Sequence, residues 1–182
     1  MRTSLRTLLA AAVTMLLVGL PVALPGTAGA STREVTDTDD TSGRLDVAAA
    51  THGHEGRALV HTVRMQGRWR SSVLEGGLVT VLFKVGRRYR TLNVDFRDGR
   101  LVGKICTEAP DGELSDCSRD VGLNRPGRRT LQVTLARRLL RGGLSAYSWQ
   151  VVTLLDLGEG ACPDTVCLDQ LPDDDEWVKH RV

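Results

Sequence analysis

Hydrophobic period constrains this chain more tightly than any other feature. In TLQVTLA, residues 130–136, Leu131, Val133 and Leu135 alternate with Thr130, Gln132 and Thr134, the pattern of a strand with one face in a core and one in water. Val79, Val81, Phe83 and Val85 alternate with Thr80 and Lys84, and Leu92, Val94 and Phe96 with Thr91, Asn93 and Asp95. Shorter runs at 45–50, 58–66, 101–106 and 145–155 extend the pattern, the last placing Tyr147, Trp149 and Val151 on one face. No segment sustains a helical period. Only Ala136 to Arg141, stopped by Gly142-Gly143, reads as a turn or two of helix. Gly86-Arg87 and Asp98-Gly99 suit tight hairpins, so residues 78–106 read as a three-stranded antiparallel meander. With no helices to cover a parallel sheet, the expected class is all-β: an antiparallel two-layer β-sandwich of jelly-roll or immunoglobulin-like type, with a barrel as the alternative.

The first thirty residues do not belong to that pattern. Arg2 and Arg6, an apolar run from Leu8 to Leu20, prolines at 21 and 25, and Ala28-Gly29-Ala30 follow the plan of a secretory signal peptide cleaved before Ser31. The run is short and proline-broken for a bilayer span, so no stable membrane insertion is expected after cleavage. Residues 31–43 form an acidic lead-in and 44–182 the sandwich domain, long enough to bury a real core. Because Arg2 and Arg6 are the only charged residues of the signal, the remainder carries 22 basic and 22 acidic side chains. That balance gives no argument for nucleic acid. A monomer acting on an extracellular ligand or protein partner is expected.

Four cysteines fit an oxidising compartment. Three pairings are open, and proximity favours Cys106 with Cys117 and Cys162 with Cys167. Each would close a short loop, contributing ~2–3 kcal/mol in the chain-entropy model.

The segment DTDDTSGRLD, residues 37–46, carries the first candidate site. Asp37, Asp39, Asp40 and Asp46 could supply the oxygens that a hard cation such as calcium requires, with Gly43 allowing a tight turn. EF-hand spacing fails, since the sixth position from Asp37 is Ser42 and the twelfth is Ala48. Such a site needs completing from elsewhere, and the acidic tail Asp173, Asp174 and Asp175 is the obvious donor. The competing readings are a solvated linker and a set of turn-capping aspartates.

Three histidines form a second candidate. His52 and His54 share a strand face by period two, and a hairpin at Glu55-Gly56 would bring His61 alongside, a set that could take copper or zinc. His61 alternates with Leu59, Val63 and Met65, which instead suits a hydrogen-bonded histidine of the sheet, with the other two exposed.

DTDDTSGRLDV, His52-Gly-His54, the arginine-rich middle and CPDTVC leading to Trp177 together resemble a group of secreted β-sandwich proteins of actinobacteria to which no activity is attached. More remotely, the Asp-x-x-Asp-x-x-Gly opening is similar to that of surface-exposed modules that bind calcium or carbohydrate. Their aromatic richness is missing here. Trp69, between Arg68 and Arg70, is the best exposed aromatic for ligand binding. No catalytic residues are assigned: no Gly-x-Ser-x-Gly elbow or His-Glu-x-x-His occurs. The expected function is a secreted, non-catalytic extracellular or cell-surface binding or structural module, calcium-stabilised and otherwise without cofactor. A protease inhibitor presenting the disulfide-held loop near 162–172 is the alternative, and a small secreted hydrolase stands behind it.

Overall fold

The computed structural model describes residues 33–41, 43–140, 145–156, 166–173 and 176–181. Among them are strands β1 (Arg33–Thr36), β2 (Val47–Glu55), β3 (Ala58–Met65), β4 (Gly77–Val85), β5 (Arg88–Arg97), β6 (Arg100–Glu108), β7 (Leu114–Ser118), β8 (Val121–Gly127), β9 (Thr130–Ala136), β10 (Ala146–Leu155), β11 (Cys167–Leu171) and β12 (Val178–Arg181). Two antiparallel sheets pack face to face, as the alternating runs require. One has the order β1-β2-β3-β9-β8, the other β11-β10-β4-β5-β6-β7 with β12 also on β10. Strand β10 therefore has three partners: β4, then β11 along Val151–Leu155 and β12 along Ala146–Trp149.

The meander forms as its turns dictate. Asp98 and Gly99 both take positive φ (52° and 74°), the type I′ geometry that matches strand twist, and Gly86 (φ 61°) opens the β4–β5 turn. Inward rows then line up across the second sheet: Val151, Val81, Leu92 and Ile105 are consecutive register partners, each at most 1 % exposed. Opposite them, Leu59 pairs with Leu135 and Val63 with Leu131 in the first sheet, all within the same core. The glycine-stopped run closes as a short 3-10 turn, Arg137–Leu140, and a second such turn, Ser71–Glu75, precedes β4.

Several strands escape a period-two reading. β7 is exposed throughout except Ser118, β8 contains Gly122 and Pro126, and β11 and β12 turn Asp169 and His180 inward where an apolar residue is expected. β1 lies within the acidic lead-in and pairs with β2, so that segment contributes a strand. The Cys106–Cys117 disulfide fastens β7 to β6. It is the one complete disulfide among the described residues, not two. Cys167 is itself bonded, whereas Cys162 lies outside the described residues. The stretch expected as a presented loop at 162–172 is a paired strand from Cys167 to Leu171. No helix among the described residues is long and apolar enough to cross a membrane.

Gly77 opens β4 beneath the chain that leads into β2. A Cβ there would lie 2.9 Å from the Leu154 carbonyl oxygen and 3.0 Å from Leu45 Cδ1. Backbone on one side and a fully buried leucine on the other leave no room to yield. Gly77→Ala is expected to lower unfolding free energy by about 1–3 kcal/mol through overpacking, read as a drop in the urea midpoint at unchanged slope.

Candidate functional site

The lead-in to β2 crosses from one sheet to the other. Leu45 enters the core at 1 % exposure, and its carbonyl accepts the Thr153 hydroxyl of β10 at 2.7 Å. Two residues later the Val47 amide donates to Asp169 Oδ2 of β11 at 2.5 Å. The Asp37 amide donates to the Ala48 carbonyl, the Gln66 side-chain amide to the Asp37 carbonyl, and the Thr41 hydroxyl to the Leu168 carbonyl. This segment is thus tied to β2, to Gln66 just after β3 and to β11, and forms part of the fold, ruling out a free linker.

Carboxylates collect along this seam. Asp37, half-buried, Asp40, exposed, and Asp169, buried, each offer an oxygen within 4.8 Å of the others. Asp46, 2 % exposed, hydrogen-bonds Asp39 and feels the charges of Asp169, Asp39 and Asp40. Its Oδ1 is buried with no hydrogen-bond partner, as is Asp37 Oδ2. Among the described residues no lysine or arginine pairs with any of the five. Burial first, then the bond with Asp39 and the neighbouring charges, raises Asp46 to about 7. Burial likewise raises Asp169 to about 6, against the opposing Val47 amide. Asp37 is raised by burial despite the Thr38 amide on its Oδ1, with Asp173 and Asp40 adding repulsion. A convergent, all-oxygen, anionic donor set suits a hard cation of the calcium type and not a soft or imidazole-loving metal.

The sequence grouping Asp37, Asp39, Asp40 and Asp46 is therefore brought to one place. Asp37 and Asp40 converge there with Asp169 of β11, which sequence reading passed over. The alternation Cys167, Asp169, Leu171, with an acid at a core-facing position, was the available signal. Of the acidic tail, Asp173 contributes a charge toward Asp37, and Asp174 and Asp175 lie outside the described residues.

The histidines take another arrangement. The β2–β3 hairpin pairs His52 with His61, as the Glu55-Gly56 turn implies. His52 is fully buried, contrary to its expected exposure, because its strand face meets the second sheet; His54 is half-buried. His52 Nδ1 lies 3.1 Å from His61 Nε2 and 2.8 Å from the Tyr147 hydroxyl, which is 3.2 Å from His61 Nε2. His180 of β12, absent from the sequence grouping, packs edge-on against the His52 ring at 3.6 Å between centroids. Phe83 and Trp149 close over His61. Burial, reinforced by the charges of His180 and His54, lowers His52 to about 3. His61 falls well below its usual value through burial, with His52 and His180 adding. Burial also lowers His180, helped by His54 and Arg137, and raises Tyr147 against the pull of Arg137. The cluster is a neutral hydrogen-bonded bridge between the sheets.

Trp69 also departs from expectation. It is only 3 % exposed, since the Arg125 guanidinium covers its ring at 3.9 Å. A tryptophan between two arginines looks solvent-facing in sequence, and the arginine that covers it comes from β8.

The buried imidazoles set a pH dependence. Their folded pKa values lie below the unfolded value of about 6.5, so the unfolded chain binds more protons as pH falls and stability is lost from pH 6.5 downward. Asp46 and Asp169, raised on folding, act oppositely, losing stability as pH rises from about 4 toward 7. The histidine contribution is isolated by substitution. His52→Gln is expected to flatten the stability slope between pH 6 and 4 by about 1.4 kcal/mol per pH unit, one proton's worth, measured by urea denaturation across that range.

Compared with known protein families, with curated proteins and with solved structures, the chain matches none, and its function has to be read from its own geometry.

Proposed function

We propose that this chain is a secreted, non-catalytic extracellular or cell-surface binding or structural module whose two sheets are tied together by calcium at the acidic seam. The observation that carries this reading is the convergence of Asp37, Asp40 and Asp169 within 4.8 Å beside the buried, unpartnered Oδ1 of Asp46. Four carboxyl groups held at one inter-sheet joint oppose one another's ionisation, and a divalent cation would favour their charged forms and turn the repulsion into attraction. Asp37 and Asp40 belong to the lead-in and Asp169 to β11, so the ion would bridge segments more than a hundred residues apart in sequence. The Cys106–Cys117 disulfide and the signal-like first thirty residues support an oxidising, extracellular setting.

A cation that binds the folded state alone raises stability by mass action, about 2.7 kcal/mol at a hundredfold excess over its dissociation constant. For a domain of this size that amounts to a rise of roughly 5–10 °C in Tm. Calcium is expected to produce such a shift at pH 7.5 and chelator to reverse it. Asp40→Asn, an exposed position, should abolish the shift while leaving the metal-free Tm nearly unchanged. Asp169→Asn should abolish it too, its amide oxygen still able to accept from Val47. An unchanged wild-type Tm with calcium, magnesium and chelator would remove the cation from this reading.

A further inference from the structure

The guanidinium over Trp69 belongs to a larger assembly. An open cavity of about 760 Å³ is lined by Arg44, Arg68, Arg70, Arg125, Arg128 and Trp69, with Gly127 at the β8–β9 turn. Five cations thus face one cavity in a chain whose formal net charge is only +2. Among the described residues none of the five pairs with a carboxylate; the ion pairs lie elsewhere, at Arg64–Glu34, Arg97–Asp95 and Arg138–Asp120. Arginines usually disperse over a surface, where water and counterions screen them. Gathering five around one concavity without an acid leaves an uncompensated field that a bound anion would relieve.

The floor of this cavity is rigid. Arg125 stacks on Trp69, and its Nη2 donates to the Trp69 carbonyl at 2.7 Å and to the Arg128 carbonyl at 3.2 Å, while Nη1 donates to Ser71 Oγ at 3.2 Å. The Trp69 amide donates to the Arg128 carbonyl, and Arg129 Nε to the Met65 carbonyl. The loop after β3 and the β8–β9 turn are therefore locked together. Arg44, Arg68, Arg70 and Arg128 are exposed around them, their side chains accessible to a ligand. Planar guanidinium forks bind tetrahedral oxyanions through paired hydrogen bonds, and a prebuilt floor reduces the entropy lost on binding.

We infer that this pocket binds a small oligoanion bearing two or more phosphate or sulfate groups. A concavity of this size holds a compact ligand of a few such groups, whereas a duplex would need a basic stripe along an extended face. Condensed phosphate and a phosphorylated or sulfated sugar share the required chemistry. The inference goes beyond the calcium-tied module and does not depend on it, because none of the seam carboxylates lines this cavity.

Calorimetric titration of the oxidised, signal-free protein tests it, at about 50 mM salt and in chelator, so that condensed phosphate cannot act through calcium. The probes are tripolyphosphate, sucrose octasulfate, inorganic sulfate and a short DNA duplex. Saturable binding of one or both oligoanions at one site per chain is expected, about tenfold or more tighter than sulfate. Tripolyphosphate alone would identify condensed phosphate, and sucrose octasulfate alone a sugar ester. The double variant Arg68→Glu/Arg70→Glu should weaken binding about tenfold or more, and Arg128→Glu, whose backbone contacts persist, should weaken it if the double variant fails to fold. Arg87→Glu/Arg88→Glu, exposed at the far end of β4, should leave binding unchanged. Oligoanion binding no tighter than sulfate overturns the proposal. So does duplex binding as tight as oligoanion binding, or an equal loss in the Arg87/Arg88 variant.

Discussion

The contact between the Val47 amide and Asp169 Oδ2 fixes how the edges of the two sheets meet. Val47 begins β2 of the first sheet, and Asp169 sits at the middle of β11, the edge strand of the second. With the Thr153 hydroxyl on the Leu45 carbonyl, it holds the lead-in across the joint. Edge strands must be covered or blunted if they are not to pair with other chains, and the lead-in does this on β11. The covering brings Asp37, Asp40 and Asp46 toward Asp169, so the interaction that closes the sandwich edge also gathers several carboxylates. Closure and repulsion are two consequences of one placement. That is why the seam calls for protons or a cation.

The second polar joint is differently balanced. His52 lies five residues along β2 from Val47, roughly 17 Å at the rise of a strand. There the sheets meet through His52, His61, His180 and Tyr147, which exchange hydrogen bonds and ring contacts while remaining uncharged. Burying neutral imidazoles that can bond one another is cheaper than burying isolated ions. The pairing of β10 brings the members together: Tyr147 and Trp149 pair with His180 and Val178 on one side, while Trp149 also pairs with Phe83 on the other.

The parts of the fold legible in sequence were those with a strictly apolar inward face. β9 alternates throughout, as do Val79 to Phe83 of β4 and Leu92 to Phe96 of β5 in their apolar positions, and the Asp98-Gly99 turn has one favoured geometry. Reading failed where the inward face is polar. Asp169 in CLDQL and His180 in VKHR occupy core positions, so each strand looks too hydrophilic to be one. Those same residues complete the acidic seam and the histidine cluster, which explains why half of each site was visible and half was not. Asp37, Asp39, Asp40 and Asp46 are neighbours in sequence and were legible together, whereas the alternation around Asp169 marks it only as a core-facing acid and not as their neighbour, a placement set by pairing between distant segments. Trp69 was misjudged for the same reason, since its cover, Arg125, arrives from a distant strand.

Arg44 and Asp46 stand either side of Leu45 and face different environments, the arginine-lined cavity and the acidic seam. Leu45 is held at both ends of its contact surface, by Gly77 beneath it and by the Thr153 hydroxyl on its carbonyl. Gly43, at φ 119°, takes a conformation other residues rarely adopt and aims the chain into this anchor. Three consecutive residues therefore divide opposite charges between two surfaces, and the buried leucine keeps them apart. The buried anchor thus holds Arg44 on the side of the arginine-lined cavity and Asp46 among the carboxylates of the seam.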